Sequence, residues 1–125
     1  MWIVNIVLTN ANNYSPLIFA VIRLWPEGVA LLVKQPWTLV NFQGGQGDDF
    51  GSTALMKACD NNFSLCVKEL LACYRVDVNI QRASNKDTAL IAAATCNAVD
   101  CVYLLLTERA ADIDLSIMSE SNETA

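Results

Sequence analysis

Apolar residues recur at helical spacing in two short segments near the middle of the chain. The first segment follows Thr53, a hydroxyl residue of the type that caps helix N-termini. Its apolar positions, spaced i, i+3 and i+4, are Leu55, Ala58 and Cys59. The second segment has the same spacing at Val67, Leu70 and Leu71. The pattern therefore predicts two short helices, each with one buried face.

The residues around these segments predict how the helices are connected. Asp60-Asn61-Asn62 is a turn-forming cluster that separates the two helices. After the second helix, polar and apolar residues alternate from Asp77 to Ile80, which predicts an exit into extended chain. The predicted unit is a helix, a turn, a second helix and an extended finger.

This unit occurs three times. A shift of 35 positions superposes Thr53-Ala54-Leu55 on Thr88-Ala89-Leu90. A shift of 38 positions towards the N-terminus superposes it on Ser15-Pro16-Leu17, whose proline occupies the first helical position, where its missing N–H costs nothing. A period of this size indicates stacked supersecondary units.

The spacing within and between the units separates a constant part from a variable part. Each unit spans 26 positions from its opening to its closing residue, the pairs being Ser15 and Asn41, Thr53 and Asn79, and Thr88 and Asp114. From a closing residue to the next opening residue, the separation is 12 positions in one case and 9 in the other. Because packed helices absorb no insertion whereas a protruding loop does, the fingers are the variable part.

At these residues the unit resembles the ankyrin repeat. The resemblance rests on the Thr-Ala-Leu openings in place of Thr-Pro-Leu, on the Val-x-x-Leu-Leu core of the second helix and on the closing Asp-Val-Asn at 77–79. It implies a mainly α fold, an ankyrin-type solenoid of stacked helix-turn-helix repeats joined by β-hairpin-like fingers. The family's usual Gly after the second helix is absent, so we expect these helix ends to close differently, one residue later.

We expect one array that fills the whole chain. Its repeats lie at about 11–48, 49–83 and 84–118, with partial repeats at 1–10 and 119–125. Val4-Asn5-Ile6 matches Val78-Asn79-Ile80 and predicts the end of a preceding finger. Thr124-Ala125 matches a repeat opening, the alternative being an acidic tail that happens to end in these two residues.

Neither end of the array has the polar outer face that a capping repeat requires. The first unit is expected to present Leu17, Ile18, Phe19, Val21, Ile22, Leu31 and Leu32, and the third Ile91, Val102, Leu104 and Leu106. Hydrophobic residues make up 54% of the chain, above the usual ~45–50%. We therefore expect a slice of a longer array that can self-associate through its uncapped ends.

Charge and hydropathy exclude several classes of partner. The net charge is −5 and the 8 basic residues form no cluster, so nucleic acid is not an expected partner. No apolar run reaches the roughly 18–20 residues of a membrane span. The N-terminal residues Met1 to Val4 lack the basic flank and cleavage site of a signal peptide, and the expected location is therefore cytoplasmic.

The five cysteines do not have the pattern of a metal site. No two have CxxC spacing and the chain has no His. Cys66 and Cys101 are equivalent positions on a predicted core face, where a free Cys acts as a small apolar residue. We expect no metal, no cofactor and no enzymatic activity; a cysteine nucleophile would need a base beside a thiol of lowered pKa.

The function that the resemblance implies is protein binding through the concave face and the finger tips. The residues it places there are Tyr14, Arg23, Asp49, Phe50, Asp60, Asn61, Asn85, Asp87 and Thr95. Tyr, Phe and Arg are types that dominate interface energetics, although Tyr14 and Phe50 could instead pack between neighbouring fingers. The alternative function is a structural spacer or regulatory segment of a larger multidomain protein.

Overall fold

The computed structural model describes residues 9–117 and residue 119 of the chain. Six α-helices in this part form three consecutive pairs, as the apolar spacing predicts. Their bounds are α1 Pro16–Ile22, α2 Pro26–Val33, α3 Ala54–Asp60, α4 Ser64–Leu71, α5 Ala89–Thr95 and α6 Val99–Glu108. Asp60 is the last residue of α3 rather than part of the following turn.

A hydroxyl side chain caps the first helix of every pair. Ser15, Thr53 and Thr88 each accept a hydrogen bond from the backbone N–H three residues on, at 3.2, 3.2 and 3.3 Å. Each of these residues has extended backbone angles and is buried. The three caps confirm the predicted openings, because an N-cap oxygen satisfies one of the free N–H groups of the first turn.

The corner between the two helices of each pair requires one left-handed residue. Leu24, Asn62 and Asn97 are equivalent positions and have φ angles of +51°, +53° and +55°. Asn tolerates this conformation, whereas a Leu in it is strained. Leu24 is also half exposed, so this corner gains little from apolar burial.

The helices stack in two layers around one continuous core. The first helices, α1, α3 and α5, contact one another in sequence, and so do the second helices, α2, α4 and α6. The residues buried between the layers include Val29, Val67 and Leu105 of the second helices, each fully buried. Each helix thus packs against the other helix of its own pair and against a helix of the neighbouring unit.

Arginines that follow the second helices of the second and third units hydrogen-bond to backbone carbonyl groups of the preceding unit. Arg75 donates hydrogen bonds to the carbonyl oxygens of Val33, Gln35 and Thr38 at 3.0, 3.0 and 2.9 Å. Arg109 donates to the Val76 carbonyl oxygen in the same way. The carbonyl groups that end one unit are therefore satisfied by a guanidinium from the next unit.

The closing Asn residues form a second set of contacts between units. Asn41 accepts from the Asp77 N–H at 2.8 Å and donates to the Arg75 carbonyl at 2.9 Å. Asn79 accepts from the Asp114 N–H at 2.9 Å and donates to the Asp112 carbonyl at 2.7 Å. One amide side chain thus bridges two backbone groups at each junction.

The fingers are irregular rather than stranded in the described residues. The first finger has one antiparallel bridge, between Gly44 and Ser52, and a short 3-10 helix at Gly47–Asp49. The alternation from Asp77 to Ile80 predicted extended chain, and this was wrong. The chain turns there because the Asp77 carboxylate accepts a hydrogen bond from the Asn79 N–H at 2.9 Å.

The two ends of the stack expose fewer apolar residues than expected. Phe19 and Leu31 of the first unit and Leu106 of the third are exposed, but Leu17, Ile18, Val21 and Ile91 are buried. The predicted finger end at Val4-Asn5-Ile6 and the predicted repeat opening at Thr124-Ala125 lie outside the described residues. No helix in the described part combines the length and the apolar character needed to cross a membrane.

Candidate partner-binding surface

The tips of consecutive fingers are hydrogen-bonded to one another. Asn13, in the loop before α1, accepts from the Gly45 N–H at 2.9 Å through its carbonyl oxygen and donates through its side chain to the Gly45 carbonyl. At the next junction the Ser84 N–H donates to the Phe50 carbonyl at 3.1 Å, and the Ser84 hydroxyl donates to the Asp48 carbonyl at 2.7 Å. The tips therefore form one continuous row.

A buried lysine ties the first finger to α3. Lys57 Nζ lies 2.5 Å from the Asp49 carboxylate and 5.9 Å from the centre of the Tyr14 ring. The Tyr14 hydroxyl donates to the same carboxylate at 3.1 Å. Both predicted contact residues are thus engaged within the chain, and Tyr14 packs between the first finger and α3.

These contacts set the protonation of the pair. Burial acts to raise the pKa of Asp49, but hydrogen bonds from Lys57 and Tyr14 and the charges of Lys57 and Arg82 outweigh it, so the pKa is lowered. Burial raises the pKa of Tyr14, and its hydrogen bond to Asp49 acts in the same direction. Asp49 is therefore ionised and Tyr14 is protonated at neutral pH.

A second buried cation, Arg82, ties the finger between α4 and α5 to α3. Arg82 Nη2 lies 2.9 and 2.8 Å from the two carboxylate oxygens of Asp60, and the arginine side chain is only 8% exposed. The Nε atom of Arg82 is buried without a hydrogen-bond partner. Removing Asp60 would leave a buried charge without its ion pair, which is costly.

Two of the predicted residues of the third unit, Asn85 and Asp87, lie in the turn before α5. Asn85 accepts from the Asp87 N–H at 3.0 Å and donates to the Asp87 carboxylate at 3.1 Å. Lys86, between them, has a φ of +63° at the position equivalent to Gly51. This turn presents the Lys86 side chain to solvent, while Asn85 and Asp87 are half buried.

Four of the predicted residues are exposed. Phe50 is 52% exposed at the tip of the first finger, and Arg23 lies at the end of α1 with its guanidinium 5.7 Å from the Phe19 ring centre. Asn61 follows the end of α3 and donates to the Lys57 carbonyl at 2.9 Å. Thr95 is the last residue of α5. These residues lie at the ends of the first helices and on one finger tip.

Sequence reasoning missed the two buried cations, Lys57 and Arg82. A signal for Lys57 was present, because the equivalent positions in the other units are Phe19 and Ala92. A lysine on an otherwise apolar face of a repeat requires a partner, since a buried charge is paired. Its partner, Asp49, lies in the finger and is brought near only by the fold.

The architecture defines a class: a solenoid of stacked helix pairs joined by fingers. A family model described as ankyrin repeats (3 copies) matches residues 2–82 and, in a second register, residues 37–117. The chain belongs to the ankyrin-repeat family, as its openings and closings predicted. Ankyrin repeats are generally protein–protein interaction modules. A comparison with curated proteins finds no match.

Proposed function

We propose that this chain binds a protein partner through the row of finger tips and the adjoining ends of the first helices. The observation that carries the proposal is the continuous row of hydrogen-bonded tips, which is braced against α3 by two ion pairs. A surface that is rigid before binding loses little conformational entropy on association.

The residues of this surface have two roles in the proposal. Arg23, Phe50, Asn61 and Thr95 are the contact residues, because their side chains are exposed. The remaining predicted residues brace the surface, because their polar atoms are bonded within the chain; they are Tyr14, Asp49, Asp60, Asn85 and Asp87. Exposed aromatic and Arg side chains, such as Phe50 and Arg23, are of the types enriched at protein interfaces.

Partner retention on an immobilised array tests the proposal. Phe50→Ala and Arg23→Ala should each reduce the retention of a bound protein about tenfold or more, as loss of an anchor does. Leu65→Ala and Tyr103→Ala are matched controls, since both side chains are exposed on second-layer helices. Equal retention by all four variants would reject this surface. Far-ultraviolet circular dichroism checks that every variant is folded.

Self-association is a second candidate behaviour, favoured by an apolar groove on the first unit. The groove is lined by Pro16, Phe19, Trp25 and Leu31 among others. The Trp25 ring lies over Gly28, where a Cβ atom would come within 2.1 Å of it. Leu31→Lys should lower the association of the chain in sedimentation experiments, whereas Tyr74→Lys, at an 89% exposed position, should not.

The setting that we propose for this binding is the cytosol. The five cysteines are free, which is the usual state of thiols in that compartment. The alternative, that the array is a spacer or regulatory segment of a larger protein, predicts no retained partner for the array by itself. The retention experiment therefore also separates these two functions.

A further inference from the structure

Two apolar side chains are exposed at the ends of the stack but are replaced by buried residues at the equivalent inner positions. Phe19 is 43% exposed in α1, whereas the equivalent residues of the next two units, Lys57 and Ala92, are 9% and 2% exposed. At the other end Leu106 is 44% exposed in α6, whereas the equivalent residue of the second unit, Leu71, is 5% exposed. The inner units, which have a neighbour on that side, bury these positions.

The apolar groove on the first unit, called here the first-unit groove, is the face that a preceding helix pair would cover. Phe19 of α1, Trp25 before α2 and Leu31 of α2 line it, and all three are exposed. In the second unit the equivalent face lies against a helix pair, because α3 contacts α1 and α4 contacts α2. The structure therefore shows what kind of element fits this groove.

The opposite end of the stack presents the side of a helix pair that packs on the following unit. This third-unit face has three exposed apolar residues of α6, which are Val99, Tyr103 and Leu106. Their equivalents in α2 border the surface grooves between α2 and α4, and they are Pro26, Ala30 and Val33. The third-unit face is thus the same side of the second helix that meets a following unit inside the stack.

The two end faces fit each other because the chain already forms this kind of interface between its own units. The second helices pack in order from α2 to α4 to α6, and the first helices pack in order from α1 to α3 to α5. A further junction of the same kind forms when the third-unit face of one copy meets the first-unit groove of another. Resting on the self-association proposed above, we propose that copies of this chain stack head to tail in this way.

Net charge also favours the meeting of unlike faces. The first pair of helices, with the residues that follow each helix, has a net charge of +1 from Arg23, Glu27 and Lys34. The third pair, counted in the same way, has a net charge of −1 from Asp100, Glu108 and Arg109. Two grooves or two third-unit faces would bring like charges together, which is unfavourable.

A head-to-tail contact has consequences that a symmetric dimer does not have. Because two different faces meet, every complex keeps one groove and one third-unit face open for a further copy. The assembly therefore grows with concentration instead of stopping at two copies. Phe50 and Asn61 belong to neither face, so partner binding at the finger tips and head-to-tail stacking can be tested separately.

Two variants that each block one face test the arrangement. Leu31→Lys places a charge in the groove, and Leu106→Lys places one on the third-unit face. Tyr74→Lys, at an 89% exposed position outside both faces, is the control. In sedimentation velocity, at a concentration at which the unchanged chain and the control assemble, each blocked variant alone should be a monomer. An equimolar mixture of the two should form a complex of one copy of each and nothing larger, because one open groove meets one open face.

Other modes of association give different results. If Leu106→Lys forms dimers by itself and the mixture gives no mixed complex, two grooves meet, and head-to-tail stacking is overturned while self-association stands. If the unchanged chain is monomeric at every concentration, self-association is overturned as well. Far-ultraviolet circular dichroism checks the fold of each variant. A second pair, Trp25→Lys and Val99→Lys, both at exposed positions, repeats the mixing test should the first pair not fold.

Discussion

Gly51 lies at the base of the first finger, where the backbone has a φ of +84° and the next finger comes close. A Cβ atom at this position would lie 2.3 Å from the Ala83 Cβ and 2.5 Å from the Ala83 backbone nitrogen. Gly51→Ala therefore strains the backbone and pushes two fingers apart. Gly47→Ala is the matched control, because Gly47 has a φ of +59° and no atom within 4 Å of the new methyl group.

The two substitutions should differ by the cost of the contact. Forcing an L-residue into a left-handed conformation costs about 1–2 kcal/mol, and Ala offsets about 0.5 kcal/mol of this by restricting the unfolded chain. Gly47→Ala should therefore lower the free energy of unfolding by about 1 kcal/mol. Gly51→Ala carries the same terms and a further overpacking cost of about 1–3 kcal/mol, giving about 2–4 kcal/mol in total.

Urea denaturation followed by circular dichroism measures both differences. Adding Ala83→Gly to Gly51→Ala should recover only part of the loss, because the Ala83 backbone nitrogen remains in the way. A double-mutant cycle isolates this shared term. If Gly51→Ala costs no more than Gly47→Ala, the fingers are not packed against each other and the continuous row of tips is wrong.

Three further predictions test the corner, the ion pair and the Asn bridge. Leu24→Asn should raise the thermal midpoint relative to Leu24→Ala, because Asn tolerates the left-handed φ of +51°; equal midpoints would mean that this corner is not strained. Asp49→Asn should lower stability most at neutral pH. The pKa of Asp49 in the folded protein is below its ordinary value of 3.8, so the carboxylate stabilises the fold fully above that pH and loses this effect as the pH falls through the lowered pKa. The difference in stability between the two proteins should therefore shrink in acid. A difference that stays constant with pH would contradict the ion pair. Asn41→Ala should cost about 1–2 kcal/mol in urea denaturation by leaving the Arg75 carbonyl and the Asp77 N–H unpaired, whereas Thr95→Ala, at an exposed helix end, should be neutral.

The helices and their order could be predicted because the signals are local. Thr53 caps α3 by accepting a hydrogen bond from the backbone N–H three residues on, and the apolar positions Val67 and Leu70 lie one turn apart within α4. Because the unit is repeated, the same signal occurs three times in the chain, as the N-caps Ser15, Thr53 and Thr88 show. The extended finger at Asp77 was the exception, because a side-chain hydrogen bond to Asn79 outweighed a short alternation.

The contacts between units could not be predicted, because their partners are distant in sequence. The Arg75 guanidinium reaches Val33, 42 positions away, and Arg82 reaches Asp60, 22 positions away. Asp60, at the end of α3, has the sequence pattern of an exposed contact residue, and nothing near it in the sequence shows that Arg82 pairs with it. The Cys101 thiol likewise donates a hydrogen bond to Asn62, 39 positions away.

Site-specific photo-crosslinking tests the central claim, that the finger tips and first-helix ends are the binding surface. A photoreactive amino acid replaces Phe50 or Asn61 on this surface and, in matched proteins, Leu65 or Tyr103 on the second layer of helices. The reagent at Phe50 or Asn61 should cross-link to the same protein, whereas the reagent at Leu65 or Tyr103 should not. Cross-linking of that protein from the second layer alone would contradict it.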